Sequence, residues 1–65
     1  MIGENLKRLR IKNNLTQRQL AELVGVSCSF ITFIEKGRKT PSLPLAHDIA
    51  VALHCTVDDL LREAE

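Results

Sequence analysis

Polar and basic side chains cluster around two predicted helix starts in the first two thirds of the chain. Gln17 lies at the start of one predicted helix, and Ser27 lies at the start of the next. The first backbone N–H groups of a helix lack partners inside it and, with the positive end of the helix dipole, suit phosphate oxygens. Three basic residues follow the helix that starts at Ser27: Lys36, Arg38 and Lys39. Taken singly, each is more often an ordinary solvated charge, but their joint placement favours binding of a phosphate backbone.

Charge is distributed unevenly along the chain, although the net charge is only +1 at pH 7. Residues 1–39 hold eight Lys and Arg against three Asp and Glu, whereas residues 40–65 hold one against five. A polyanion would therefore be attracted to the first part and repelled by the second. Ordinary solubilising surface charge is an equally good interpretation of this distribution.

The length and composition limit the classes of function. Sixty-five residues suffice for one small domain but leave too little chain to enclose a catalytic pocket. The sequence has neither a nucleophile–base pair at sensible positions nor a glycine-rich phosphate loop, so we expect no enzyme. It also has no apolar stretch of membrane-spanning length and no signal-peptide hydrophobic region, so we expect a cytoplasmic protein.

The cysteines and histidines do not form a recognised metal or disulfide pattern. Cys28 and Cys55 lack both a secreted framework and CxxC spacing, so we expect free thiols. His47, His54 and Cys55 lack metal-ligand spacing, and we expect no metal or cofactor.

Apolar residues at helical spacing predict five helices and no strands. Helix one covers residues 2–13. A capping box of Thr16 and Gln19 opens helix two, which runs to about Leu23 and is capped by Gly25. Ser27 caps helix three, and Gly37 ends it.

The C-terminal part is predicted to form two further helices. Helix four contains a buried stripe of Leu43, Ala46, Ile49, Ala50 and Leu53. Thr56 and Asp59 form a second capping box, which opens a short helix five. Residues 62–65 are expected to fray.

Together these segments resemble the Cro and lambda-repressor type helix-turn-helix domains of phage and bacterial regulators. The resemblance covers residues 3–61, with the helix-turn-helix at about 16–36. It rests on Leu6-x-x-Leu9-Arg10, Leu15-Thr16-Gln17-x-x-Leu20-Ala21, Gly25-Val26-Ser27, Ile31-x-x-Ile34-Glu35-x-Gly37 and Pro41-Ser42-Leu43. It implies a compact all-α, five-helix, lambda-repressor-like domain. It also implies a transcriptional regulator, more often a repressor, that binds double-stranded operator DNA as a homodimer with helix three (about 27–36) in the major groove.

The resemblance also implies roles for individual residues. Gln17 corresponds to a phosphate or base contact, and Arg10 and Glu35 to a partly buried ion pair. The base-reading face of helix three corresponds to Cys28, Ser29, Thr32 and Phe33. The family usually has an apolar residue at the position of His47, so we expect this side chain to be half-buried and hydrogen-bonded. His54 stands where the family usually has glycine after helix four, so we expect it to cap that helix.

The predicted reading face departs from the family because it is poor in side chains capable of bidentate base contacts. We therefore expect thymine-methyl contacts from Phe33 and Thr32, single hydrogen bonds from Ser29 and Thr32, and some readout of DNA shape. An exposed Phe33 is also compatible with a protein partner. The alternative function is accordingly a helical protein-interaction module of the same fold, such as an antitoxin or partner-binding regulator, with weak DNA reading.

The candidate dimer contacts lie in helix five: Val57, Asp58 and Leu61. Ordinary core packing of Val57 and Leu61 is an equally good interpretation. The sequence does not choose among a phage repressor, a restriction-modification controller and an antitoxin.

Overall fold

The computed structural model describes residues 2–63, which form five α-helices. These are α1 (Ile2–Lys12), α2 (Gln17–Val24), α3 (Cys28–Glu35), α4 (Leu43–Ala52) and α5 (Val57–Leu61). Within this described part of the chain there is no strand, and the predicted all-α, five-helix fold is confirmed. None of the five helices is long and apolar enough to cross a membrane. Arg62 and Glu63 lie beyond α5, whereas the rest of the predicted frayed tail lies outside the described residues.

Four of the helices begin at a hydroxyl side chain that accepts a hydrogen bond from the backbone N–H three residues later. The capping residues are Thr16, Ser27, Ser42 and Thr56. Both predicted capping boxes, Thr16 with Gln19 and Thr56 with Asp59, are confirmed. Each cap supplies a partner to a backbone N–H group that the helix itself leaves unpaired.

The capping box of α5 is sensitive to acid. Hydrogen bonds with Thr56 hold the pKa of the Asp59 carboxyl below its usual value. The bond with the backbone N–H has the larger effect, and the bond with the hydroxyl group has the smaller one. A lowered folded-state pKa means that the carboxylate stabilises the fold above its ordinary pKa. This contribution is lost as the pH falls through the folded-state pKa.

Four of the helices also end in the same type of left-handed turn. The residues with positive φ angles are Asn14, Gly25, Gly37 and His54. In each turn the following residue donates its N–H to a carbonyl five residues back, as from Arg38 to Phe33 at 2.8 Å. These bonds supply partners to the last carbonyl groups of the helix, which have none within the helix itself. His54 therefore has the predicted capping conformation, although a side chain makes that conformation costlier than it is for glycine.

The core lies where the five helices converge. The largest fully buried side chains are Leu6, Leu20, Ile31, Ile34, Ile49, Leu53 and Leu60. The second helix packs on α3 and α4, while α1 packs on α3 and α5. This core holds α2 and α3 in one fixed relative orientation, and each of the two helices is only eight residues long.

Two predictions for α4 were wrong. Leu43 is 73% exposed, because it occupies the first helical position and burial in α4 begins one turn later at Ala46. His47 is exposed rather than half-buried, because it lies beside the buried stripe of Ala46, Ile49 and Ala50 rather than within it.

A buried side-chain amide donates hydrogen bonds to the carbonyl groups at the end of α5. Asn5 is only 4% exposed, and its Nδ2 donates to the carbonyl oxygens of Leu60 at 2.7 Å and Arg62 at 2.6 Å. Because α5 has only five residues, it cannot satisfy its own last carbonyl groups within the helix. The amide from α1 replaces water there and fixes the position of α5 on α1.

The backbone of α1 approaches the end of α3 at Gly3. A Cβ atom at this position would lie 2.8 Å from the carbonyl oxygen of Glu35 and closer still to that of Ile34. Both obstacles are backbone atoms, which cannot move away as a flexible side chain can. Only glycine therefore permits α1 and α3 to pack this closely.

We expect the substitution Gly3→Ala to lower the free energy of unfolding by about 1–3 kcal/mol, because the methyl group must push the two helices apart. Urea denaturation followed by circular dichroism measures the change. The exposed Lys7→Ala substitution on the same helix is the control, and it should shift stability by less than about 0.5 kcal/mol. A Gly3→Ala protein as stable as this control would show that the close approach is not required.

Candidate nucleic-acid interface

The start of α2 and the outer face of α3 lie beside each other. The hydroxyl group of Thr32 donates to Oε1 of Gln17 at 2.7 Å, which joins the two helices directly. Ser29 is exposed, and Phe33 is 38% exposed. Ser27 caps α3 by accepting the backbone N–H of Phe30 at 3.1 Å. The structure therefore brings the predicted contact residues at the start of α2 together with those on α3.

Cys28 lies in a more buried position than the predicted reading face requires. It is half-buried and packs against the core cluster. The cause is its helical position, since it precedes the fully buried Ile31 by three residues and so lies toward the same side of α3. The outer surface of α3 is consequently provided mainly by Ser29 and Phe33, with the half-buried Thr32 at its edge.

An ion pair lies directly beneath this surface. Nε of Arg10 lies 2.6 Å from Oε2 of Glu35, and its Nη2 lies 3.1 Å from Oε1 of the same carboxylate. The two side chains are only 10% and 4% exposed. The remaining terminal nitrogen, Nη1, donates to the carbonyl oxygen of Leu15 at 2.7 Å. One guanidinium group thus links α1, the loop before α2, and the last turn of α3.

The same carboxylate also reaches the candidate interface. Oε1 of Glu35 accepts a hydrogen bond from Nε2 of Gln17 at 2.9 Å. A continuous chain of hydrogen bonds therefore runs from Arg10 through Glu35 and Gln17 to Thr32. The contacts of Gln17 with Glu35 and Thr32 were not predicted from the sequence. A signal did exist, since Thr32 and Glu35 are three residues apart and hence lie on one side of α3.

Basic residues occupy the turn that ends α3. Lys36 is the C-cap, and Arg38 and Lys39 follow it; all three are exposed. The N–H groups of Arg38 and Lys39 donate to the carbonyl oxygen of Phe33 at 2.8 and 3.3 Å. The left-handed Gly37, with φ of 79°, makes this turn possible. These charges are therefore held close to one end of α3.

The candidate dimer residues lie on α5, apart from the outer face of α3. Val57 is half-buried against the core, Asp58 is exposed, and Leu61 is 51% exposed. Leu61 borders a shallow groove of about 440 Å³, whose other walls include Ile2 and Lys39. Core packing therefore accounts for Val57 but leaves about half of Leu61 on the surface.

The histidines and cysteines do not converge on one site. His54 and Cys55 line a cleft of about 480 Å³ between α1, α4 and α5, whereas His47 lines a different cavity with residues of α2 and α4. Burial, with a smaller effect of the nearby Asp59 carboxylate, raises the pKa of the Cys55 thiol. Both cysteines are free thiols, as predicted.

Comparison with known proteins matches residues 6–60 to a family described as helix-turn-helix. An uncharacterized HTH-type transcriptional regulator of Archaeoglobus fulgidus is 44% identical over 55 residues, which are 85% of this chain and 78% of that protein. The immunity repressor protein of Bacillus phage phi105 is 37% identical over 62 residues, which are 95% of this chain. The chain spans only 43% of that repressor.

A solved structure of a DNA complex has the same fold. It contains SinR, described as the master regulator for biofilm formation, and superposes with a TM-score of 0.89 at 30% identity. The match covers 95% of this chain and 100% of that chain.

Removing one member of the Arg10–Glu35 pair is expected to destabilise the fold strongly. Glu35→Leu leaves a buried guanidinium group without its carboxylate, which should cost about 3–5 kcal/mol and leave much of this small domain unfolded. The double variant Arg10→Leu/Glu35→Leu should lose much less than the sum of the two single losses, because it leaves no unpaired charge. Denaturation curves of all four proteins test this, and strictly additive losses would contradict the coupling.

Proposed function

Because this chain belongs to the helix-turn-helix family of DNA-binding transcriptional regulators, we propose that it binds double-stranded operator DNA with α3 in the major groove and represses transcription. The observation that carries this proposal is the junction of Gln17 with the outer face of α3. This junction presents a helix start to a phosphate strand and an exposed helix face to the adjacent groove. The family resemblance inferred from the sequence motifs is confirmed by the comparisons.

The dimensions of α3 suit this role. An α-helix is about 10–12 Å in diameter with its side chains, which fits the roughly 12 Å width of the major groove of B-DNA, and the eight residues of α3 provide about two turns to lie in it. Ser29 and Phe33 on its outer face would contact base edges, with Thr32 beside them. Because these side chains make single rather than bidentate contacts, we expect modest base specificity supplemented by readout of DNA shape.

The phosphate contacts would come from both ends of the helix pair. The backbone N–H groups at the start of α2 and the side chain of Gln17 provide uncharged donors. Lys36, Arg38 and Lys39 provide charges at the end of α3. This sequence-independent part of the interface supplies affinity and orientation, whereas α3 supplies the choice of sequence.

The comparisons support a role in regulating transcription. The phage relative is named an immunity repressor, and the SinR structure is a complex with DNA. The proposed activity needs no cofactor and no covalent step. We propose a cytoplasmic location, where the DNA of the bacterial and archaeal relatives is found.

We further propose a homodimer formed through α5. Leu61 is 51% exposed and borders a groove with Ile2, so a second copy could cover apolar surface there. Val57 and Asp58 would lie at the same contact. A two-fold dimer would place its two α3 helices about 34 Å apart, one turn of DNA, and would bind a near-palindromic operator.

The alternative function is a protein-interaction module of the same fold. The observation that favours it is the exposed Phe33 on a helix face with few strong base-reading groups. DNA binding and protein binding differ in salt dependence, because only DNA binding releases condensed counterions.

In vitro selection from random duplex DNA at about 50 and 200 mM salt should enrich a near-palindromic sequence, with affinity falling steeply between the two salt concentrations. In a plot of the logarithm of the binding constant against the logarithm of the salt concentration, Lys39→Ala should then make the slope less steep by about 0.9 for each phosphate contact removed. Lys12→Ala is the matched control, since Lys12 lines the cleft between α1, α4 and α5 and should leave the slope unchanged. Binding that is absent at low salt would favour the protein-interaction module.

Leu61→Asp is expected to weaken self-association and to reduce operator affinity by at least tenfold, because each half-site would then be bound separately. Val51→Asp is the control: Val51 is 61% exposed but lies in the cavity between α2 and α4. Sedimentation equilibrium measures the oligomeric state, with and without operator DNA. A Leu61→Asp protein that still associates like the Val51→Asp control would contradict the proposed α5 interface.

A further inference from the structure

We propose that the buried Arg10–Glu35 pair fixes the direction of the hydrogen bonds at the DNA surface, so that Thr32 presents an acceptor to a base. Glu35 is then a positioning residue for base recognition, although its side chain is only 4% exposed. This inference rests on the proposed function, because it concerns what the face of α3 recognises in DNA.

The direction begins with the chemistry of the ion pair. A guanidinium group can only donate hydrogen bonds, and a carboxylate can only accept them. Both oxygens of Glu35 accept from Arg10, at 2.6 and 3.1 Å. The atom of Gln17 that lies 2.9 Å from Oε1 of Glu35 must therefore be the amide nitrogen, Nε2. The two ends of a Gln amide are otherwise hard to distinguish, and here the carboxylate distinguishes them.

The orientation of Gln17 then determines the direction of the next hydrogen bond. With Nε2 directed to Glu35, the oxygen Oε1 lies 2.7 Å from Oγ1 of Thr32. An amide oxygen cannot donate, so the hydroxyl group must supply the hydrogen. The carbonyl oxygen of Cys28, 3.1 Å from Oγ1, is the competing acceptor. Donation to Cys28 would leave two oxygens 2.7 Å apart with no hydrogen between them, so the bond to Gln17 is favoured.

A hydroxyl group has one hydrogen, and Thr32 uses it inside the protein. Only lone pairs of Oγ1 therefore remain for DNA. In the major groove, hydrogen-bond donors are the N6 amino group of adenine and the N4 amino group of cytosine, whereas guanine and thymine present acceptors at O6, N7 and O4. Thr32 should therefore favour adenine or cytosine at the position that it contacts, in addition to any contact of its methyl group with thymine.

The same arrangement makes Gln17 a hydrogen-bond donor toward DNA, whereas Thr32 is an acceptor. Its Oε1 is occupied by Thr32, while Nε2 has a second hydrogen besides the one given to Glu35. Phosphate oxygens are acceptors only, so this free hydrogen suits the DNA backbone. One buried carboxylate thus makes Gln17 a donor toward phosphate and Thr32 an acceptor toward a base.

The base preference can be tested with the wild-type protein and synthetic operators. Selection with wild type and with Thr32→Val, which has the same shape but no hydroxyl group, identifies the base pair that Thr32 reads. We expect adenine or cytosine there. If it is adenine, replacing it by purine, which lacks the amino group, should lower wild-type affinity about tenfold and Thr32→Val affinity much less. The valine variant controls for the weakened base pair.

The positioning role of Glu35 is tested with Glu35→Gln, which keeps the size of the side chain but can donate as well as accept. Gln17 can then turn over, and discrimination between adenine and purine should fall toward that of Thr32→Val. A merely structural role would weaken binding to both operators equally and leave their ratio unchanged. Unchanged discrimination in a folded Glu35→Gln protein would overturn the proposal.

A DNA-free measurement covers the case in which Glu35→Gln does not fold. In NMR spectra of the wild type, the Thr32 hydroxyl proton should exchange slowly enough to be observed, with a through-hydrogen-bond or NOE connection to Gln17. A hydroxyl proton directed instead to the Cys28 carbonyl group would overturn the proposal.

The outcomes separate this inference from the function on which it rests. A preference for guanine or thymine that the wild type has and Thr32→Val loses would overturn the inference alone, because only the hydroxyl group differs between the two proteins. Failure to select any sequence, with no salt-dependent binding, would overturn both.

Discussion

The buried ion pair between Arg10 and Glu35 is the interaction on which the helix arrangement depends most. A single guanidinium group contacts the last turn of α3 and the carbonyl of Leu15, just before α2 begins. Three chain segments that are distant in sequence are therefore fixed by one side chain. The desolvation of two charges is costly, so the pair is better understood as a determinant of geometry than as a large net source of stability.

The packing around this pair permits little adjustment. The glycine at position 3 lets α1 approach the carbonyl end of α3, which sets the distance between Arg10 and the last turn of that helix. Asn5, on the same helix, closes the end of α5 through two backbone carbonyl groups. The first helix therefore organises both the predicted DNA-binding side and the predicted dimer side of the domain. A displacement of α1 would disturb both surfaces together.

Local signals explain why most of the fold could be predicted from the sequence. The hydroxyl caps at Thr16 and Ser27 and the left-handed glycines at 25 and 37 act within a few residues, so their consequences can be read from the chain alone. The errors concern exposure, which depends on neighbouring helices. Leu43 has the correct spacing for a buried residue but lies at the exposed first turn of α4.

The candidate site was predictable in its location but not in its hydrogen-bonding pattern. Motif positions indicated Gln17 and Thr32 individually, yet their mutual contact and their link to Glu35 depend on how closely α2 approaches α3. Cys28 was expected on the reading face but is half-buried, because it lies toward the same side of α3 as Ile31 and packs against the core. Tertiary packing thus determines which of these polar side chains bond to each other, and this could not be predicted from the sequence.

We propose that α3 and the start of α2 together form the DNA-binding surface. Titration of ¹⁵N-labelled protein with its selected operator, followed residue by residue by NMR, tests it most directly. We expect the largest changes at the backbone amides of residues 16–18, 27–33 and 36–39, with smaller changes at α5 if a dimer forms. Large changes confined to α4 and the cleft beside it, with α3 unaffected, would contradict it.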